Sequence, residues 1–232
     1  MSVQQTPGKI YLADNRGMVE NKIHQCFSTF NFAGYQQLHK QPFGKLHTFN
    51  DEVLPAGGSL GQAATIDGFM LLIPITGAIK YCCQKHSFNA EAGQVVLIPI
   101  HAGMDFEITN PYTSDWVNFL HLEIKAEALP EAETQILAFD IEQDSNMLIP
   151  VMAEKNLPFA LHIGRFSGRT EVTHEVKTGN VIFVFVIGGA FELQNRLLHS
   201  RDGLALWDIK EVEAEALSND AVLLLLELEN VL

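Results

Sequence analysis

Short apolar segments separated by turn-forming residues recur along most of the chain, and they constrain the fold more than any other feature. The segments are rich in Val, Ile, Leu and Phe, whereas apolar residues at helical spacing are scarce. The segments predicted as strands are 45–50, 69–75, 78–83, 94–98, 105–109, 116–124, 159–166, 181–187, 190–194, 204–207 and 221–228. This pattern predicts an all-β protein.

Several of the predicted strands are apolar at nearly every position. Examples are 69–73 (FMLLI) and 181–186 (VIFVFV). A strand that is solvated on one face alternates between apolar and polar residues, so an unbroken apolar run indicates cover on both faces. A sandwich or a closed barrel supplies that cover.

A strand–turn–strand pattern occurs twice, which indicates two units of similar design. It is found at 73–79 (IPITGAI) and at 186–191 (VIGGAF), and each copy is followed by a strand that starts at a glycine, Gly93 or Gly203. Between the copies the chain is rich in Ala and Glu. We therefore predict an N-terminal domain at 1–125, a linker at 126–145 and a C-terminal domain at 146–232.

The net charge of the chain limits the classes of partner that it can bind. Its 232 residues hold 15 Lys and Arg against 28 Asp and Glu, a net charge of −13. A chain this acidic is repelled by phosphate backbones and anionic lipid, so we expect neither a nucleic acid nor a membrane as partner. The apolar runs are too short to span a bilayer. The three cysteines have neither zinc-finger nor redox spacing, and we predict a cytoplasmic protein with reduced thiols.

Three blocks near the N-terminus carry a resemblance to a known family. The blocks are 12–17 (LADNRG), 28–35 (STFNFAGY) and 39–51 (HKQPFGKLHTFND), and their order and spacing closely resemble the N-terminal stretch of the pirin family. Near the other end, 201–208 (RDGLALWD) is similar to the C-terminal cupin of pirin-like quercetinases. The resemblance implies a bicupin, in which two tandem cupin (jelly-roll) β-barrels follow one another.

The resemblance also implies a metal site in the first barrel, where a His-x-His pair and a later His and Glu hold an iron-type ion. In this sequence the His-x-His positions fall on Ala63 and Thr65. The remaining positions of the family and of the general cupin motif fall on or near apolar residues, namely Phe69, Met104, Phe106 and Ile108. The second barrel has His174 where a cupin motif starts, but Val176 stands at the position of its second histidine. We therefore expect the family's metal ligands to be lost.

Polar and bulky side chains around these positions define a predicted pocket of the first barrel. Its predicted members are His47, Ala63, Thr65, Asp67, Phe69, Met104, Phe106 and His121. The cavity is either open to a small ligand or filled by Phe69, Met70, Met104 and Phe106, and the sequence leaves both alternatives. A displaced metal site of His47, His101 and His121 is the alternative to a chain without metal, and its cofactor would be iron or another divalent transition metal.

These observations predict a pirin-like bicupin that binds an unknown small molecule, or has a regulatory role, without catalysis and without a cofactor. One alternative is a metal-dependent enzyme of the quercetin 2,3-dioxygenase type that uses the displaced site. Another is an interaction cofactor with a protein partner. No residue is assigned a catalytic role.

Overall fold

The computed structural model describes residues 6–83, 86–127 and 133–230. The chain divides into two compact units, one formed by Arg16–Phe139 and the other by the N-terminal stretch up to Asn15 together with Asp140–Leu232. Residues 128–132 of the predicted linker lie outside the described part. Within it, regular structure is almost entirely strand, with one 3-10 turn at Ala13–Asn15. No described helix is long and apolar enough to cross a membrane.

The first unit consists of two sheets. Its strands are β2 (Gly17–Asn21), β3 (His24–Ser28), β4 (Leu46–Leu54), β5 (Ser59–Ala63), β6 (Gly68–Thr76), β7 (Ala78–Cys83), β8 (His86–Glu91), β9 (Gln94–Ile100), β10 (Asp105–Thr109), β11 (Val117–Lys125) and β12 (Gln135–Ala138). One sheet has seven strands in the order β12-β9-β6-β11-β4-β3-β2, and the other has four in the order β5-β10-β7-β8.

The core of the first unit lies between these two sheets. Alternate residues of a strand share a face, so β6 and β11 each present one row of side chains to the interior. Met70 and Phe119 from the larger sheet and Tyr81, Phe106 and Ile108 from the smaller one belong to a single buried cluster. This packing fixes the positions at which polar side chains enter the interior.

The second unit repeats the arrangement. Its strands are β1 (Gly8–Tyr11), β13 (Ile149–Met152), β14 (Phe159–Phe166), β15 (Glu171–Glu175), β16 (Val181–Gly188), β17 (Ala190–Leu193), β18 (Arg196–His199), β19 (Gly203–Leu206), β20 (Glu211–Ala216) and β21 (Ala221–Leu228). They form a sheet in the order β1-β19-β16-β21-β14-β13 and a second in the order β15-β20-β17-β18. Strand β1 precedes the first unit in the chain but pairs with β19, from Gly8 opposite Leu206 to Tyr11 opposite Gly203.

The predicted all-β class is confirmed, since each predicted strand overlaps a strand of the structure. Each unit consists of two separate sheets rather than one closed ring of strands. The twofold repetition seen in the sequence corresponds to this pair of similar two-sheet units.

Candidate functional site

The positions at which the resemblance expects metal ligands carry no strong ligand. Ala63 ends β5 and is exposed, and Thr65 follows it in the loop before β6. Phe106 and Ile108 lie on β10, and both are buried in the apolar core. Imidazole, thiolate and carboxylate groups are the side chains that hold transition metals in proteins, and none of these four residues supplies one. The residues at the family's position therefore do not fit a transition-metal ion.

A buried carboxylate lies behind Thr65. The Thr65 hydroxyl donates a hydrogen bond of 2.6 Å to Glu123 on β11, and the Thr48 hydroxyl donates one of 3.2 Å to the same oxygen. Burial of Glu123 acts to raise its pKa, but the nearby His121 ring and the two hydroxyl donors outweigh this and hold the pKa below 4.5. Glu123 is therefore ionised at neutral pH, and it is buried directly behind the exposed Thr65.

His121 lies deeper in the first unit and has no exposed side-chain surface. Its Nε2 lies 3.7 Å from Glu123 Oε1, and its Nδ1 lies 4.0 Å from Glu52 Oε1. The ring meets that of Phe106 edge-on, with centroids 5.8 Å apart. Neither ring nitrogen has a hydrogen-bond partner among the described residues. An imidazole in this state is costly to bury, by about 1–3 kcal/mol per unsatisfied group.

The other predicted pocket residues are dispersed. Asp67 and His101 form an exposed pair, with Nδ1 3.5 Å from the carboxylate and side chains 64% and 72% exposed. Met104 packs on the edge of the core, and Phe69 is buried on the face of β6 opposite to Met70. His47 is half-buried on β4. Among the described residues, His47, His101 and His121 do not form a cluster within ligand distance.

Three buried residues that the sequence interpretation did not select form such a cluster. Ligand atoms of His24 and Cys26 on β3 and of Glu52 on β4 all lie within 4.8 Å of one another. A signal for them exists in the sequence, because Thr48, Asn50 and Glu52 alternate with apolar or other residues along one strand. The inward row of β4 is thus polar where an apolar core would be expected, which marks a buried polar site.

The second unit has its own buried carboxylate, which was also missed. Glu227 on β21 accepts hydrogen bonds from His174 Nε2 at 3.1 Å, from the Lys177 backbone N–H at 2.9 Å and from the Asn180 amide at 2.7 Å. Burial acts to raise the pKa of Glu227, but these donors lower it to about 2. The ring of His162 stands 4.6 Å from that of His174, and burial lowers the pKa of His162 to about 4.

Replacing Thr65 by valine is expected to destabilise the first unit by about 1–3 kcal/mol, because Glu123 loses its shorter hydrogen bond while remaining a buried charge. Urea unfolding measures the change. Thr109→Val is the matched control, since that hydroxyl makes only an exposed 3.4 Å contact with a carbonyl oxygen. Equal effects of the two substitutions would contradict the importance of the Thr65–Glu123 contact.

Part of the second unit is similar to a known protein family. Residues 158–228 match a family model described as the quercetinase C-terminal cupin domain. A curated relative, quercetin 2,3-dioxygenase from Escherichia coli (strain K12), is 24% identical over 228 residues, covering 93% of this chain and 97% of that protein.

Solved structures share the fold over nearly the whole chain. The bacterial pirin YhhW from Escherichia coli, in complex with nickel(II), has a TM-score of 0.83 at 19% identity, covering 97% of this chain and 100% of that chain. A quercetin 2,3-dioxygenase from Acinetobacter baumannii has a TM-score of 0.69 at 13% identity, covering 97% of this chain and 86% of that one. At these identities the structural matches show a shared fold and do not transfer an activity.

Proposed function

We propose that this chain, which is pirin-like in sequence and a bicupin in fold, is a cytoplasmic small-molecule-binding protein that does not catalyse dioxygenation at the family's metal position. One observation carries the proposal. Alanine, threonine, phenylalanine and isoleucine occupy the positions at which the resemblance expects a ligand set, as Ala63, Thr65, Phe106 and Ile108. A catalytic metal needs about three protein ligands and an open coordination position.

The same region supports binding of a small organic molecule. Ala63 and Thr65 are exposed at the end of β5, so a ligand can reach them. Half-buried Met104 adds apolar surface beside them, and the ionised Glu123 lies directly behind the Thr65 hydroxyl. Small-molecule sites are typically lined by apolar side chains with a few polar groups that orient the ligand. The carboxylate favours a ligand that presents a hydrogen-bond donor or a positive charge.

The alternative of a dioxygenase with a displaced metal site receives less support. It requires His47, His101 and His121 around one ion, but His121 is fully buried while the His101 side chain is 72% exposed. A regulatory role through a protein partner is compatible with the proposal, because ligand binding can change the affinity of a protein for its partner.

Oxygen uptake with quercetin tests the absence of catalysis. We expect this protein, supplied in turn with Fe²⁺, Ni²⁺ and Mn²⁺, to consume no oxygen above the protein-free rate. The quercetin 2,3-dioxygenase of Escherichia coli, assayed alongside, serves as the positive control. Quercetin-dependent oxygen uptake that stops on chelation would overturn the proposal in favour of the dioxygenase.

Equilibrium dialysis with quercetin as the probe tests the binding site. We expect retention of quercetin, and Ala63→Trp is expected to weaken it about tenfold or more, because the indole would cover the exposed surface beside Thr65. Ala92→Trp, at an exposed turn of the same unit, is the control and should leave retention unchanged. Absence of retention by the wild type, or equal retention by both variants, would contradict binding at this position.

A further inference from the structure

The polar cluster of β3 and β4 is built from metal-ligand side chains. His24 and Cys26 are alternate residues of β3 and so point to the same face, and Cys26 pairs with Glu52 on the neighbouring strand. Their exposures are 8%, 2% and 0%. Side chains of these types are rarely buried together unless they are paired or bind an ion.

The ligand atoms of the cluster are close enough to share one ion after a small adjustment of His24 and Glu52. His24 Nε2 lies 2.5 Å from Glu52 Oε2, and Cys26 Sγ lies 3.4 Å from Glu52 Oε1. Metal–ligand bonds of 2.0–2.3 Å in a tetrahedral site place ligand atoms roughly 3.3–3.7 Å apart. An ion at the centre would therefore replace the short His24–Glu52 hydrogen bond and move those two atoms apart by about 1 Å.

His121 provides a second, independent observation. Its Nδ1 lies 4.0 Å from the Glu52 oxygen that also accepts from Cys26. His121 is not among the residues whose ligand atoms all lie within 4.8 Å of one another, so its ring must move towards His24 and Cys26 to share an ion with them. The side chain is fully buried, and among the described residues both ring nitrogens lack a hydrogen-bond partner. Hydrogen bonds among His24, Cys26 and Glu52 alone would leave His121 Nδ1 buried without a partner. Coordination of an ion as the fourth ligand would give this nitrogen a partner.

We propose that His24, Cys26, Glu52 and His121 bind a divalent zinc ion inside the first unit. Two imidazoles, a thiolate and a carboxylate form a mixed nitrogen, sulfur and oxygen set, which suits zinc and excludes magnesium and calcium as preferred ions. Four protein ligands leave no open position, so the ion has a structural rather than a catalytic role. The site lies on the larger sheet, whereas Ala63, Phe106 and Ile108 lie on the smaller one.

Binding requires loss of the proton from Cys26, which passes to solvent as the sulfur–metal bond forms. The proton between His24 Nε2 and Glu52 must also leave, to His24 Nδ1 or to solvent, before Nε2 can coordinate the ion. Burial of Cys26 and the nearby Glu52 raise the pKa of this thiol, so it is protonated at neutral pH without an ion. The entry route is the β2–β3 hairpin, because β2 is an edge strand whose last four residues are exposed and His24 follows its turn. Opening of this edge exposes the ligands without disrupting the central strands.

Cobalt titration of the full-length protein tests the proposal. After treatment with a chelator, the folded wild type is expected to bind one Co²⁺ per chain, with a sulfur-to-cobalt charge-transfer band and the visible bands of tetrahedral cobalt. Zinc should remove both sets of bands by displacement. Cys26→Ser is expected to lose the charge-transfer band, and His24→Gln and His121→Gln to weaken binding on the order of 100-fold or more.

Cys82→Ser is the matched control, since Cys82 is a half-buried thiol on β7 that contacts Ser87 outside the cluster. It should bind cobalt like the wild type. Circular dichroism verifies that each variant is folded, and Cys26→Ala replaces Cys26→Ser if the latter is not. A folded wild type without the charge-transfer band, or a band that survives Cys26→Ser, would overturn the zinc site. The cobalt titration does not involve quercetin. A failure of the zinc-site proposal can therefore be distinguished from a failure of the proposed function.

Discussion

Replacing Glu227 by leucine is expected to lower the free energy of unfolding of the second unit by about 3–5 kcal/mol. The substitution keeps the size of the side chain but removes the acceptor for the His174 ring, the Lys177 N–H and the Asn180 amide. Three donors would then lack their partner at a position where Glu227 is 3% exposed. Leucine cannot compensate, because the loss is one of hydrogen bonding rather than of volume.

Two tryptophans allow the two units to be followed separately. Trp116 precedes β11 in the first unit, and Trp207 follows β19 in the second. In a Trp116→Phe background, urea unfolding monitored by fluorescence reports the second unit. Glu192→Leu is the control, because Glu192 is exposed on β17, and it should change stability by less than about 0.5 kcal/mol. A similar loss in both variants would exclude a specific contribution of Glu227.

The same cluster predicts how the second unit responds to acid. The folded-state pKa of Glu227, about 2, is below its unfolded value of 4.5, so its contribution is present above pH 4.5 and is lost as the pH falls towards 2. The folded-state pKa of His162, about 4, is likewise below its unfolded value of 6.5, so its contribution is lost between pH 6.5 and 4. Stability should therefore decline in two adjoining ranges. Glu227→Leu should remove the lower one.

A methyl group at Gly68 is expected to destabilise the first unit by on the order of 3 kcal/mol or more. Gly68 begins β6 between β9 and β11, and a Cβ at this position would overlap the backbone carbonyl oxygen of Ile124. Its φ of +155° is also one that side chains with a Cβ rarely adopt. Backbone cannot move aside as a flexible side chain would, so Gly68→Ala should separate β6 from β11 locally.

Urea unfolding in a Trp207→Phe background, which leaves Trp116 as the reporter of the first unit, measures this effect. Gly61→Ala on β5 is the matched control, because a Cβ there would meet no atom within 4 Å. That variant should be within about 0.5 kcal/mol of the wild type. A Gly68→Ala protein as stable as Gly61→Ala would contradict the prediction, because it would show that the backbone near Ile124 can move to accommodate the methyl group. The loop that carries Thr65 ends at Gly68, so a shift of β6 should also weaken the Thr65–Glu123 contact.

The apolar strands were predictable from the sequence because burial on both faces leaves an unbroken hydrophobic signal. The strands that were missed have a weaker signal. Glu211–Ala216 (EVEAEA) alternates charged with small or apolar residues, and Glu171–Glu175 (EVTHE) is mostly polar, since one face of each strand is solvated. Gly8–Tyr11 is only four residues long, and its partner β19 is almost two hundred residues away in the chain. Local patterns do not identify a partner at that distance.

The candidate site was predictable only in part. The resemblance predicts the family's ligand positions and places Ala63 and Thr65 at two of them. It gave no information about the facing sheet, where His24, Cys26 and Glu52 meet. The predicted strand at 45–50 ended before Glu52, so the polar row of β4 was not recognised as continuous. Because β3 and β4 pair across an intervening segment of 17 residues, at 29–45, the cluster depends on a strand register that only the folded chain defines.

The pairing of β1 with β19 has a consequence for biosynthesis. The segment Gly8–Tyr11 leaves the ribosome before Arg16–Phe139, and its partner strand emerges only after the whole of Arg16–Phe139 has been made. The first unit can therefore fold during translation, while the segment Gly8–Tyr11 remains without its partner strand until Gly203–Leu206 has been made. Until then, or after proteolytic loss of Gly8–Tyr11, β19 is a bare sheet edge that can recruit the corresponding segment of another nascent chain.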